Sequence, residues 1–113
     1  MRWRSRAKTG NMRSDLIGFG TLVQAGRDTP DIYRTATLAA LDAGYRILDT
    51  ALRYENEVQV GQAIAQSDVP REDIRVTTKI PGRFQGYHEA KTSIIRSLID
   101  LDQAYVDAAL IHW

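Results

Sequence analysis

Arg46-Ile47-Leu48-Asp49-Thr50 is the stretch on which the fold turns: a short apolar run that ends in a carboxylate. Gly44, two residues upstream, suits the stop of a preceding helix, because glycine takes the left-handed conformation without strain. A second helix-like segment begins near Asn56, just downstream, with Asn56 and Gln59 spaced as a capping box. Three further apolar segments, at residues 16–20, 74–80 and 105–112, recur at intervals of roughly thirty residues. Helical patterns fill the gaps. The first spans residues 30–43, with Thr29 as cap, Pro30 in the first turn, and Ile32, Ala36, Ala39, Ala40 and Ala43 as the inner face. The second puts Val60, Ala63 and Ile64 inward, with Gly61 permitting a close backbone approach. The third spans residues 87–101 with Ala90, Ile94, Ser97, Leu98 and Leu101 in a stripe. Val, Ile, Leu and Thr on both faces of the strands fit a parallel sheet covered by helices.

Composition narrows the function. Apolar residues make up 43% of the 113 and charged residues 26%, as in folded domains. Fifteen bases against fourteen acids leave a net charge of +1, too small an excess for a general nucleic-acid binder. The absence of cysteine excludes disulfides, thiolate nucleophiles and Cys-based metal sites, and fits a reducing cytoplasm. No apolar run is long enough to span a membrane, and no signal-peptide core follows Met1. The bases are uneven: Arg2, Arg4, Arg6, Lys8 and Arg13 fall in residues 1–14 without an acid. That segment reads as a solvated arm ahead of a domain over 15–113; a nucleic-acid or membrane-surface arm, or a targeting peptide, is the alternative.

In parallel α/β folds the carboxyl ends of the strands carry the chemistry. Here the second strand ends in Asp49, the third in Lys79 and the fourth in His112, and Tyr54 follows Asp49 in a loop. Singly, each has a plain structural reading: a turn-starting Asp, a snorkelling Lys, a core His, a packing Tyr. Together they can protonate a developing alkoxide, since a cation beside a phenol lowers the phenol's pKa toward the range of a general acid. No nucleophile with its own base and no metal cluster accompanies them, and a reduction needs an electron-carrying cofactor.

The run Gly44-Tyr45-Arg46-Ile47-Leu48-Asp49-Thr50-Ala51, with Tyr54, Asn56-Glu57 and Val60-Gly61 after it, resembles the signature of the aldo-keto reductase family. Gly18-Phe19-Gly20-Thr21, Thr77-Thr78-Lys79, Ser97-Leu98, Tyr105-Val106-Asp107 and Leu110-Ile111-His112-Trp113 extend the resemblance. Thr9-Gly10-Asn11 resembles the hairpin ahead of the first strand. The bacterial reductases of small sugar-derived ketones are the nearest branch. The resemblance implies the N-terminal half of a (β/α)8 barrel and NADPH-dependent reduction of aldehydes or ketones, a small-molecule carbonyl being the substrate. It makes Tyr54 the proton donor, Lys79 the residue that depresses its pKa, Asp49 the partner of Lys79, and His112 the residue that orients the carbonyl. Gly20, Thr21, Leu22 and Asp49 would contact the cofactor; Trp113, Leu22 and Pro81 would line the substrate pocket; no metal is implied.

Several positions depart from the family. Ile47 stands where His, Ser, Ala or Leu is commoner, and Leu22 and Pro81 stand where Trp is frequent, which implies a more open pocket. Asp102 stands where Gly usually ends the third helix, at a small cost in stability. The family continues for about four more strand–helix units that carry the nicotinamide and 2′-phosphate contacts. A fragment, a truncated gene product or the product of a disrupted gene is therefore expected, weak or inactive alone. The alternative is a non-catalytic half-barrel that self-associates through its open sheet edge. A nucleic-acid role for the basic arm is the third reading.

Overall fold

The computed structural model describes residues 16–22 and 31–113. The arm over residues 1–14, the hairpin at Thr9–Asn11 and the cap at Thr29-Pro30 lie outside them. Four parallel strands, β1 (Gly18–Gly20), β2 (Ile47–Asp49), β3 (Arg75–Pro81) and β4 (Ala108–His112), lie in the order β1-β2-β3-β4. Helices α1 (Asp31–Asp42), α2 (Glu57–Gln66) and α3 (Tyr87–Leu101) alternate with them. Each strand lies beside its predecessor, with no reversal of direction across the sheet, so all four carboxyl ends line one edge in sequence order. A doubly wound sheet would reverse that order at a switch point; a barrel segment does not.

The core is where the helices meet the sheet. Leu41, Leu48, Val60, Ile64, Ile74, Val76 and Leu101 form one buried cluster, with Phe19, Val69 and Val106 packed on it. Burial of each such side chain contributes about 1.5–3 kcal/mol. Along β3 the alternation is visible: Val76 and Thr78 are buried under the helices, whereas Thr77 and Lys79 on the other face are half-buried.

The buried face of α1 is turned from the expected one. Thr37, Ala40 and Leu41 are buried, while Ile32, Ala39 and Ala43 are exposed. The alanine stripe is apolar but small. The face is set by Leu41 and by Thr37, whose hydroxyl donates to the Tyr33 carbonyl at 2.7 Å and so tolerates burial. Gly44 ends α1 as expected, at φ +105°, with the Tyr45 N–H reaching back to the Ala40 carbonyl at 3.0 Å. The capping box at Asn56 does not form. Asn56 precedes α2 without a side-chain cap; its amide nitrogen donates instead to the Thr21 carbonyl at 2.9 Å. A fully buried Asn tied to the residue just after β1 takes the place of a surface cap. At the end of α3, Asp102 adopts φ 51°, and the Gln103 N–H closes the turn on the Leu98 carbonyl at 3.0 Å.

The amino ends of β3 and β4 are tied by polar groups. The Asp107 carboxylate accepts from the Val76 N–H at 2.8 Å, and Arg71 donates to the carbonyls of Ile74 and Tyr105 at 2.6 and 2.9 Å. Asp49, Lys79 and His112 lie at the other end of the sheet. On β4 and just beyond it, Leu110, Ile111 and Trp113 are exposed, as are Leu16 and Ile17 ahead of β1. No described helix is long and apolar enough to cross a membrane.

Candidate active site

Asp49 ends β2 and pairs in register with Thr77 of β3, so Lys79 lies two residues further along, on the same face as Thr77. The Lys79 ammonium spans that step. Nζ donates to Asp49 Oδ1 at 2.8 Å, to the Thr50 carbonyl at 3.0 Å and to the Tyr54 phenol oxygen at 3.1 Å. Tyr54 reaches this point because a 3₁₀ turn, Leu52–Tyr54, folds the chain back over the sheet end, and Glu55 takes φ 56° to lead into α2. Burial pulls the Lys79 pKa down, but the bonds to Asp49 and Tyr54 outweigh it, and the pKa is raised from its ordinary value. The amine stays an ammonium.

An ammonium has donors and no acceptor. In the 3.1 Å contact the phenol oxygen is therefore the acceptor, and the Tyr54 O–H remains available to a third group. The His112 ring meets the Tyr54 ring edge-to-face at 5.9 Å between centroids, and Trp113 meets His112 at 5.8 Å. Thus Asp49, Lys79, Tyr54, His112 and Trp113 form a continuous chain of contacts across β2, β3 and β4.

The remaining expected residues fall nearby with different exposures. Gly20 pairs in register with Asp49. Thr21 is buried, and both its N–H (3.0 Å) and its hydroxyl (3.2 Å) donate to the Asp49 carbonyl, so its side chain is committed to the scaffold. Leu22 is exposed. Pro81 is buried at the end of β3, opposite His112 in register. The Thr50 hydroxyl and His112 Nδ1 are buried without a hydrogen-bond partner among the described residues. The Asp49 side chain is 44% exposed, and no hydrogen bond to its Oδ2 occurs among the described residues.

The composition of the polar core under the site was not legible in the sequence. Glu57, the first residue of α2, is buried and accepts from the Thr78 hydroxyl at 2.8 Å and the Ser97 hydroxyl at 2.7 Å. Thr78 adjoins Lys79 in β3 and Glu57 follows Tyr54 by three residues, so this triad ties the Lys79 and Tyr54 segments together behind the sheet. Burial pushes the Glu57 carboxyl up, with the Asp100 charge adding to it and the two hydroxyls opposing it. Because the folded-state pKa lies above the unfolded one, the stabilisation is complete below the ordinary glutamate value and is lost as pH rises through the raised value. Urea midpoints compared at about pH 4 and pH 7 should therefore favour Glu57→Gln progressively over the parent as pH rises. A difference independent of pH would contradict the assignment.

Comparison with known proteins follows the same segments. The model of the Aldo/keto reductase family matches residues 16–113. An aldo-keto reductase of Mycolicibacterium paratuberculosis is 43% identical over 101 residues, covering 89% of this chain and 34% of that protein. The 2,5-diketo-D-gluconic acid reductase B of a Corynebacterium species is 51% identical over 78 residues, or 69% of this chain and 28% of that protein. The crystal structure of a Bombyx mori aldo-keto reductase in complex with NADP superposes with a TM-score of 0.80 at 36% identity, covering 86% of this chain and 34% of that one. The chain spans about a third of the length of these relatives.

Proposed function

Because the chain belongs to the aldo/keto reductase family, we propose that it supplies the proton-donating half of a carbonyl reductase that works with NADPH. The observation that carries this reading is the Lys79 ammonium bonded to both Asp49 and the Tyr54 oxygen, which leaves the phenol proton free to donate. Tyr54 gives its proton to the carbonyl oxygen as the alcohol forms. Lys79 stabilises the phenolate left behind, Asp49 keeps Lys79 charged and in place, and His112 helps orient the carbonyl beside Tyr54. The reduced nicotinamide supplies the hydride when bound. The residues present fit such a group: among the described residues Asp49 Oδ2 has no partner and can accept from a hydroxyl or amide, and the buried Thr50 hydroxyl and His112 Nδ1, likewise without a described partner, lie at the same strand ends. Gly20 and Leu22 are exposed beside Asp49, where a cofactor could rest. The Bombyx mori relative holds NADP, which supports the choice of cofactor.

The test is a chimera in which residues 16–113 replace the matching segment of the Corynebacterium reductase. NADPH oxidation with small ketones and aldehydes is the expected result. A folded chimera that binds NADPH and reduces no carbonyl compound would reject the reading.

A second reading rests on the exposed apolar side chains along both edges of the sheet, Leu16 and Ile17 at β1 and Leu110 and Ile111 at β4. Open strand edges with apolar flanks pair with other strands. The 113-residue chain by itself is expected to sediment as a dimer or larger species; a monodisperse monomer would overturn this.

A further inference from the structure

We infer that Arg53 makes this site selective for carbonyl compounds that carry an anionic group, a carboxylate or a phosphate, a few bonds from the carbonyl. The inference rests on the reductase reading for the position of the carbonyl, and on separate observations for the anion. Arg53 is the middle residue of the 3₁₀ turn, directly before Tyr54. Its guanidinium carbon lies 5.0 Å from the centroid of the Trp113 ring. Trp113 contacts His112 and His112 contacts Tyr54, so the cation stands on the rim of the set of side chains that would receive the carbonyl.

A guanidinium over an indole face is attracted by the ring quadrupole, and that contact uses none of its N–H donors in a hydrogen bond to a carboxylate. Arg34, Arg71 and Arg96 are matched by the carboxylates of Asp31, Asp107 and Asp100, and Arg46 by the carbonyls of Leu41 and Tyr45; Arg83 lies over the Phe84 ring, away from the strand-end cluster. Arg53 forms no ion pair or hydrogen bond among the described residues; its described partner is the ring. The Asp49 carboxylate of the site is already engaged by Lys79. A held cation with unused donors at the rim fits a planar carboxylate or a phosphate through paired N–H···O bonds. A neutral aldehyde or ketone would leave it unused. Arg53 thus acts on which substrate is held, while Tyr54 acts on the reacting oxygen.

The test is equilibrium binding to the 113-residue chain by ligand-observed saturation-transfer NMR, which reads associated and monomeric protein alike. Matched pairs are 4-carboxybenzaldehyde against its methyl ester, and glyceraldehyde 3-phosphate against glyceraldehyde. The anionic member of at least one pair should bind about tenfold or more tightly than its neutral partner, as expected for a charge-assisted contact. The pair that responds identifies carboxylate or phosphate as the recognised group. Arg53→Met, which keeps an unbranched apolar side chain without the charge, should abolish the preference, and Arg53→Lys should retain part of it. Equal binding within both pairs, or a preference that survives Arg53→Met, would overturn the inference. In a chimera that turns over, the same substitution should lower the anionic-to-neutral ratio of kcat/KM through KM. A chimera with no turnover would reject the reductase reading, while the binding arm would still decide the role of Arg53.

Discussion

Tyr54→Phe should lower carbonyl reduction by the chimera about 10²–10⁴-fold, with the loss in kcat. The substitution removes one oxygen. Lys79 keeps its bonds to Asp49 and to the Thr50 carbonyl, so the ammonium remains anchored. The ring keeps its edge contact with His112. A single hydrogen bond to a partly exposed hydroxyl contributes about 0.5–1.5 kcal/mol, so folding should be nearly unaffected. Activity and stability therefore separate, which distinguishes a proton donor from a packing tyrosine. Steady-state kinetics beside a urea melt of the same variant measure both. If Tyr54→Phe retains most of the parent's kcat, the proton comes from elsewhere and the proposed mechanism fails.

Gly61→Ala is expected to produce the largest loss of stability. A Cβ at Gly61 would overlap the carbonyl oxygen of Leu101 and lie 2.6 Å from its carbonyl carbon and 2.9 Å from its Cα. The obstacle is backbone at the end of α3, and Leu101 is itself part of the buried cluster, so neither side can yield without moving a helix. Overpacking of this kind costs about 1–3 kcal/mol, and an immovable neighbour puts this site at the upper end. The better helix propensity of Ala recovers under 1 kcal/mol of that. Against the roughly 5–15 kcal/mol that holds a domain together, the shift should be plain in a urea midpoint. An unchanged midpoint would mean that α2 and α3 do not approach this closely.

The α1 face shows why a sequence reading succeeds at one level and fails at the next. Periodicity located the helix, and Gly44 located its end, because both depend on local backbone chemistry. The choice between the face through Ile32, Ala39 and Ala43 and the face through Thr37, Ala40 and Leu41 depended on what the sheet offered, and a back-bonded threonine reads as polar until its partner is known. Asn56 is a similar case: its spacing to Gln59 is that of a cap, yet the amide went to the Thr21 carbonyl, 35 residues away. The Glu57–Thr78–Ser97 triad draws on three elements, and no local pattern announces a carboxylate that two distant hydroxyls will make tolerable in the core.

The sequence by itself determined the order of strands and helices, the residue types at the strand ends, and the family signature around Asp49 and Tyr54. These are local properties: periodicity, turn chemistry and the identity of the residue that closes each strand. Only the tertiary structure decided that Lys79 would lie within 3.1 Å of the Tyr54 oxygen across 25 residues of chain, and that Arg53 would rest on Trp113. Those contacts depend on the register between parallel strands and on the path of the 3₁₀ turn. Both are set by packing of the whole helix-covered sheet, which no single segment encodes.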